Sequence, residues 1–404
     1  MRPGEGLRVL KFGGTSVGRL PGLLTALSLT DEAAAQGPVA VVASALCGVT
    51  NQLVEAAERV GGPGFDVEGF VARLETRHVA HLAAVAVGDA AARAAAELAE
   101  RFARLAEELR WGVEAGGLDP WQRDEVVATG ERLVVPIFAA GLAAAGRHAA
   151  AIDAAELIVT ESRPAEAAWD FPATRERMLR LLAPLLGGAG AVAVVPGFLG
   201  ADTNGRTTLL GRGGSDLSAT LLGAALSAEA VEIWTDVDGV LSADPRQVPE
   251  AVQLLRLSYA EATELARHGA KVLHPRSVAP AEAAGVPILV RNTFRREGPP
   301  TRIGAPSEVE RHPAAVLAVL ARRTDGGLAR LALVGGGRSA GKLLARVAAT
   351  LTAARVPLLA QVAASPSTVV AVVRDRDLDR AWSWLHEELV VAGLAPEEAR
   401  ALAS

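Results

Sequence analysis

Lys11 stands near the end of a short apolar run, Leu7 to Phe12, and Gly13, Gly14, Thr15 and Ser16 follow it. Glycine lets a ligand approach the backbone, and consecutive free N–H groups form an anion-binding nest. An ammonium at such a strand end could lie over a transferring phosphate. An ordinary strand-to-helix turn would use the same residues. A second glycine-rich loop, Gly211-Arg212-Gly213-Gly214-Ser215-Asp216, opens the helical stretch Leu217 to Leu226. Phosphates bind at helix N-termini of this kind. Ser215 or Asp216 could cap that helix, and Arg212 could grip a carboxylate with both arms of its guanidinium.

Trp234-Thr235-Asp236-Val237-Asp238-Gly239 ends a further apolar run in two acids. Such acids suit ribose hydroxyls or, indirectly, a metal, and solvated turn acids would look the same. Gly130-Glu131-Arg132 offers Glu131 as a partner for a substrate ammonium, or as a solvated helix residue. Gly269-Ala270-Lys271-Val272-Leu273-His274-Pro275 carries a second lysine. Lysine is scarce: of 41 basic residues only Lys11, Lys271 and Lys342 are lysine. Where any surface cation would serve, this chain uses arginine. Each lysine therefore marks either chance survival or a place for a compact point charge rather than a planar fork.

Two other patterns fail on chemistry. Gly336 to Lys342 begins like a P-loop, but Leu343 stands where the magnesium-binding hydroxyl belongs. His78 and His81 are spaced for one helix face, yet no further ligands cluster with them, so no zinc site is expected.

The elements that must position these residues alternate strand and helix through the first three hundred residues. Strands are expected at Leu7–Phe12, Ala40–Ser44, Ala191–Val195, Val231–Thr235 and Pro287–Arg291. Helices are expected near Leu20–Ala35, throughout 66–116, and from Asp119 to Ala145, where Asp119-Pro120 makes a good start. This alternation predicts an α/β fold with a mainly parallel sheet covered on both faces. From Leu328 the order changes to β-α-β-β-α, a small α+β module.

The chain has 404 residues, half of them hydrophobic, with a net charge of -5. It can bury a sizeable core, and its dispersed charges suggest no nucleic-acid partner. A single cysteine, Cys47, excludes an internal disulfide framework. The sequence shows neither a secretory leader nor a membrane span, so a cytoplasmic location is expected.

In this order, Lys11 to Val17, Ser44-Ala45-Leu46-Cys47-Gly48-Val49-Thr50-Asn51, Gly130-Glu131, Gly211 to Asp216, Trp234 to Gly239 and Gly269 to Pro275 resemble the aspartate kinases of the amino-acid-kinase superfamily. The resemblance implies a three-layer α/β/α kinase domain over residues 1–304, with a helical insert at 66–116. It implies a linker at 305–314 and an ACT-like regulatory or dimerisation domain at 315–404. The implied reaction is ATP-dependent phosphorylation of L-aspartate to 4-phospho-L-aspartate, the first step toward lysine, threonine and methionine. Mg²⁺ would be held mainly by nucleotide phosphates and water, with no metal ligand assigned on the chain, and a homodimer is implied.

Carried over by position, Lys11 and Asp216 are catalytic. Thr50, Glu131, Arg212 and Ser215 serve the amino acid. Gly13, Gly14, Ser16, Thr235, Asp236 and Lys271 serve the nucleotide. The chain departs from the family in having room for little more than one ACT-like module, and in Ala364-Ser365-Pro366-Ser367 where Ser-Glu is usual. Weak or absent inhibition by lysine and threonine is therefore expected. Related kinases of the superfamily, a homologue acting on another acidic amino acid, and a non-catalytic amino-acid sensor are the alternatives.

Overall fold

The computed structural model describes residues 6–188, 190–270, 273–305, 316–335 and 340–391. The chain forms two compact units, one of residues 1–236 with 283–297, the other of residues 237–282 with 298–404.

The first unit opens with β1 (Arg8–Phe12), α1 (Gly14–Val17), α2 (Leu20–Ala34) and β2 (Val39–Ala43). Helices α3 (Val49–Arg59), α4 (Val67–Val85), α5 (Gly88–Ala115) and α6 (Pro120–Ala144) follow. Then come β3 (Ala149–Ala151), α7 (Ala154–Leu157), α8 (Phe171–Leu181) and β4 (Val192–Pro196). A hairpin of β5 (Leu199–Ala201) and β6 (Thr207–Leu209) leads to α9 (Gly214–Leu226) and β7 (Ala230–Thr235). Beyond Asp236 run β8 (Arg256–Ser258), α10 (Tyr259–Arg267), α11 (Pro275–Ala284) and β9 (Ile288–Asn292).

In this unit the strand order is β3-β4-β2-β1-β7-β9, with every pairing parallel. The Val- and Ala-rich strands β2 and β4 are buried along their whole length, as a sheet covered on both faces requires. Alternate residues divide between the faces. Leu10, Phe12, Val39, Val41 and Trp234 join a core with α2 to α6, while α9 lies against β1, β2 and β7. Phe12 anchors β1 by stacking on Phe138 at 5.7 Å and on Trp234 at 6.3 Å.

The chain runs outward from β1 on one side through β2, and returns on the other through β7. That reversal makes β1 a topological switch point, where parallel sheets open a crevice beyond the carboxyl ends of their strands. Lys11, Ser44 and Thr235 all stand at that edge.

The insert at 66–116, expected to be helical throughout, is two helices. The break follows Ala86, which is extended, and Gly88, whose φ is +67°. α6 begins as expected, with an Asp119–Gln122 capping box. An 18-residue stretch of this 25-residue helix has a mean hydropathy of 1.5, which by length and composition alone would suffice to cross a membrane. Most of it is buried inside the unit, where it serves as a core helix.

In the second unit β8 pairs in parallel with β10 (Thr301–Gly304). It continues with β11 (Ala318–Thr324), β12 (Leu328–Val334), α12 (Ala340–Ala353), β13 (Ala360–Ala363), β14 (Thr368–Arg374) and α13 (Leu378–Leu389). These four strands form an antiparallel sheet in the order β11-β12-β14-β13, whose core is shared with Leu343, Val347, Trp382 and Leu385.

Strand β11 comes before the order expected from sequence, which missed it because its second half is largely exposed and ends in Arg322-Arg323-Thr324. The expected boundary at residue 304 does not coincide with the limits of the compact units. Ser242 ties the segment after β7 to the module: its hydroxyl lies 2.7 Å from His386 Nε2, and its carbonyl accepts from the Val319 N–H. The expected linker lies outside the described residues, apart from Ala305.

The apolar runs Pro357–Ala363 and Thr368–Val373 of this module, expected from sequence to pair at an edge between two chains, take different places. β14 is internal, between β12 and β13, so of the two only β13 lies at the sheet edge.

Candidate active site

Two loops and a helix meet at the switch point. The first loop carries Gly13 and Gly14 after β1, and the second carries Ser44 to Gly48 after β2. They pack so closely that a Cβ on Gly14 would stand 3.0 Å from the Ala45 carbonyl oxygen. The third wall is the Gly211–Asp216 loop. There Gly213 caps α9 in the left-handed conformation, with φ +71°, which glycine adopts without strain. The helix takes its cap from this glycine backbone, not from Ser215 or Asp216.

Between these walls lies a cavity of about 450 Å³. It is lined by Lys11, Gly14, Thr50, Glu131, Arg212, Ser215 and Asp216, seven of the residues expected from sequence, and also by Ser44, Cys47, Asn51 and Phe198. Lys11 Nζ lies 2.7 Å from Asp216 Oδ1, in the first turn of α9. Both side chains are close to nine-tenths shielded from solvent, so their attraction is weakly screened.

Glu131 reaches the cavity from the middle of α6. Gly130 makes this possible: a side chain there would meet Leu53 and Ala45 within 3.3 Å. The Thr50 hydroxyl donates to Glu131 Oε1 at 3.3 Å, while Oε2 is buried without a hydrogen bond. Burial pushes the carboxyl up to about 7, against the opposing pull of the Ala45 N–H, the Thr50 hydroxyl and the Lys11 charge. A buried acid with an unsatisfied oxygen is matched to a cationic ligand group. Arg212 stands exposed on the cavity lining, offering the complementary cation.

The structure separates other expected residues from this cavity. Ser16 is fully buried, and its hydroxyl lies 2.7 Å from Thr293 Oγ1 and 3.2 Å from the Trp234 carbonyl. It ties the ends of β1, β7 and β9 together instead of facing a phosphate. The Gly13 N–H likewise donates to the Trp234 carbonyl, so it is not free for an anion. Thr235 and Asp236 lie at the carboxyl end of β7, joined by a 3.2 Å hydrogen bond from the Thr235 hydroxyl. Lys271 lies outside the described residues. Lys342 is exposed in the first turn of α12, and Gly336 to Ser339 of the P-loop-like pattern lie outside the described residues. His78 and His81 each use Nδ1 on a carbonyl of their own helix, Leu74 and Arg77.

Two contributors escaped sequence reasoning. Phe198 lines the cavity with φ +75°, a conformation a bulky residue rarely takes, which argues for a site under local strain. Its only signal was Pro196-Gly197 at the end of a buried strand. Arg132, beside Glu131, binds Asp153 at 2.7 Å, Glu125 at 2.9 Å and Thr207 at 2.9 Å. It locks α6 to its neighbours and thereby fixes Glu131.

The sequence profile of the amino acid kinase family matches residues 6–292. The chain belongs to the amino acid kinase family. Among curated members of this family it is 34% identical over 285 residues to lysine-sensitive aspartokinase 3 of Escherichia coli, covering 70% of this chain and 60% of that one. It is 33% identical over 299 residues to chloroplastic aspartokinase 3 of Arabidopsis thaliana, covering 73% and 52%. The chain thus spans less than two thirds of these relatives' length. Of solved kinase structures, E. coli aspartokinase III in complex with aspartate and ADP superimposes with a TM-score of 0.79 at 26% identity, covering 95% of this chain and 99% of that one.

Proposed function

We propose that this amino acid kinase transfers the γ-phosphoryl group of ATP to the side-chain carboxylate of L-aspartate. The observation that carries the reading is one cavity holding the Lys11–Asp216 pair, the buried Glu131 carboxylate and the Arg212 guanidinium together. Glu131 would take the substrate ammonium on its unsatisfied Oε2, and Arg212 a substrate carboxylate. The acceptor carboxylate would then face Lys11.

Attack of a carboxylate on phosphorus needs no protein nucleophile. It needs in-line positioning and cations over the developing charge. Asp216 holds the Lys11 ammonium at the place where that charge would form. Thr235 and Asp236, at the end of β7, are proposed nucleotide contacts, and by resemblance Lys271 is proposed to serve the nucleotide as well. Mg²⁺ would be held mainly by the nucleotide phosphates and water, and when bound it supplies charge neutralisation there. Similarity to aspartokinases of two organisms, and to a solved kinase holding aspartate and ADP, supports aspartate over other acceptors. The proposed location is the cytoplasm. The proposed assembly is a homodimer, for which β13 offers a sheet edge with no further strand beside it among the described residues.

The test is to supply ATP, Mg²⁺ and a panel of acidic amino acids, trapping acyl phosphate with hydroxylamine. Aspartate-dependent hydroxamate is expected. A larger rate with another acceptor, or no ATP turnover at all, would overturn the reading.

A further inference from the structure

Arg77 stands on α4, in the helical insert, and is not among the residues lining the cavity. Its Nη1 donates to the Cys47 carbonyl at 2.9 Å, and its Nη2 to the Gly18 carbonyl at 3.0 Å. These acceptors belong to different loops: Gly18 ends the short α1 after β1, and Cys47 lies on the loop after β2. Behind Arg77, α4 is seated in the core through Val71, Leu74 and Leu82, so the guanidinium is presented from a fixed base. The loops also touch directly, since any Cβ on Gly18 would collide with Cys47. One planar fork thus spans the two segments that form two walls of the cavity.

We infer that Arg77 is a positioning residue: it clasps the β1 and β2 loops together and sets the width of the amino-acid cavity. The helical insert thereby acquires a part in substrate binding. The two donors must be held at a fixed spacing, which a guanidinium provides and a single ammonium does not.

The kinetic side of this inference rests on the proposed activity, but the structural side does not. Cys47 is the chain's only cysteine and is exposed on the clasped loop. Its rate of reaction with a neutral maleimide therefore reports loop opening without any assay of turnover. In Arg77→Met, which keeps the stem and loses the fork, that rate is expected to rise about tenfold, the scale of a lost charged hydrogen bond. Removing a nearby positive charge would by itself make a thiol less reactive, so a rise reads opening and not charge. Arg77→Lys should fall between Arg77→Met and the parent, and it serves should Arg77→Met fail to fold. KM for the amino acid should rise with labelling, and kcat should change less. Labelling rates equal to the parent's in the folded variants would overturn the clasp. Raised labelling with no kinase activity in the parent would leave the clasp standing and sink the aspartate kinase reading.

Discussion

The Lys11 ammonium lies 2.7 Å from the Asp216 carboxylate, joining the end of β1 to the first turn of α9. The ion pair sits where two independent devices favour negative charge: the N-terminus of α9 and the crevice beyond a parallel sheet. Asp216 completes one ion pair there, and the Lys11 ammonium carries three donors.

That geometry explains the lysine in an arginine-rich chain, and it fixes the first expectation. Lys11→Arg should remove most turnover while leaving the fold intact, because a wide guanidinium cannot fill an ammonium's place beside Gly13 and Asp216. The Gly13 backbone lies close by: a Cβ there would stand 3.4 Å from Nζ, in van der Waals contact. Lys342→Arg, exposed on α12, should be nearly silent. Comparing kcat for the two variants, with circular dichroism as the control for folding, checks this. Wild-type turnover in Lys11→Arg would remove Lys11 from the chemistry.

Why were Lys11, Glu131, Arg212 and Asp216 legible in the sequence while Ser16 was misplaced? The legible residues sit beside glycines, and a glycine announces a close approach or a left-handed turn. Ser16 looks identical in sequence, but its hydroxyl is taken by Thr293, which β9 brings across the sheet from far along the chain. Phe198 was hidden for the opposite reason, since its left-handed backbone is one that phenylalanine itself argues against. The parallel sheet was legible because its strands are continuous buried Val and Ala runs. β11 was not, because half of it faces outward. Arg77 gave no signal, since helical spacing alone does not say which loops pack beside α4.

The Ser16 correction is itself testable. Ser16→Ala leaves the buried Thr293 hydroxyl without that partner, which should lower stability by about 1–3 kcal/mol. The KM for ATP should move little, because the side chain is spent on Thr293 and Trp234. Denaturant unfolding alongside ATP titration separates the two effects. A large rise in KM for ATP with unchanged stability would restore the phosphate role.

Arg212→Ala is expected to weaken amino-acid binding by removing one charge partner of the zwitterion. A charged hydrogen bond contributes about 1.5–3 kcal/mol, roughly ten- to a hundredfold in apparent affinity. Arg212 is exposed, so the lower end of that range applies. Steady-state KM for aspartate is the measurement, and an unchanged value would assign the carboxylate to another residue.

Glu131 makes substrate binding depend on pH in a direction that can be worked out. Burial pushes its carboxyl up to about 7. In the free protein it is therefore mostly protonated at pH 6 and mostly ionised at pH 8. On the proposed reading the substrate ammonium binds the ionised form, so binding would expel the proton wherever one is held. KM for aspartate should then rise about tenfold per pH unit on acidification below about 7, and level off above it. Without ligand the same shift acts on stability. The folded protein holds this proton more tightly than the unfolded chain, so the group's stabilising contribution is fully present below about 4.5. It is lost as the pH rises to about 7. Glu131→Gln keeps the shape and removes the titration. Its KM should be high and flat across this range, and its unfolding free energy should lose this component of the pH dependence. A parent KM that does not change between pH 6 and 8 would show that Glu131 is already ionised, and that the ammonium is bound elsewhere.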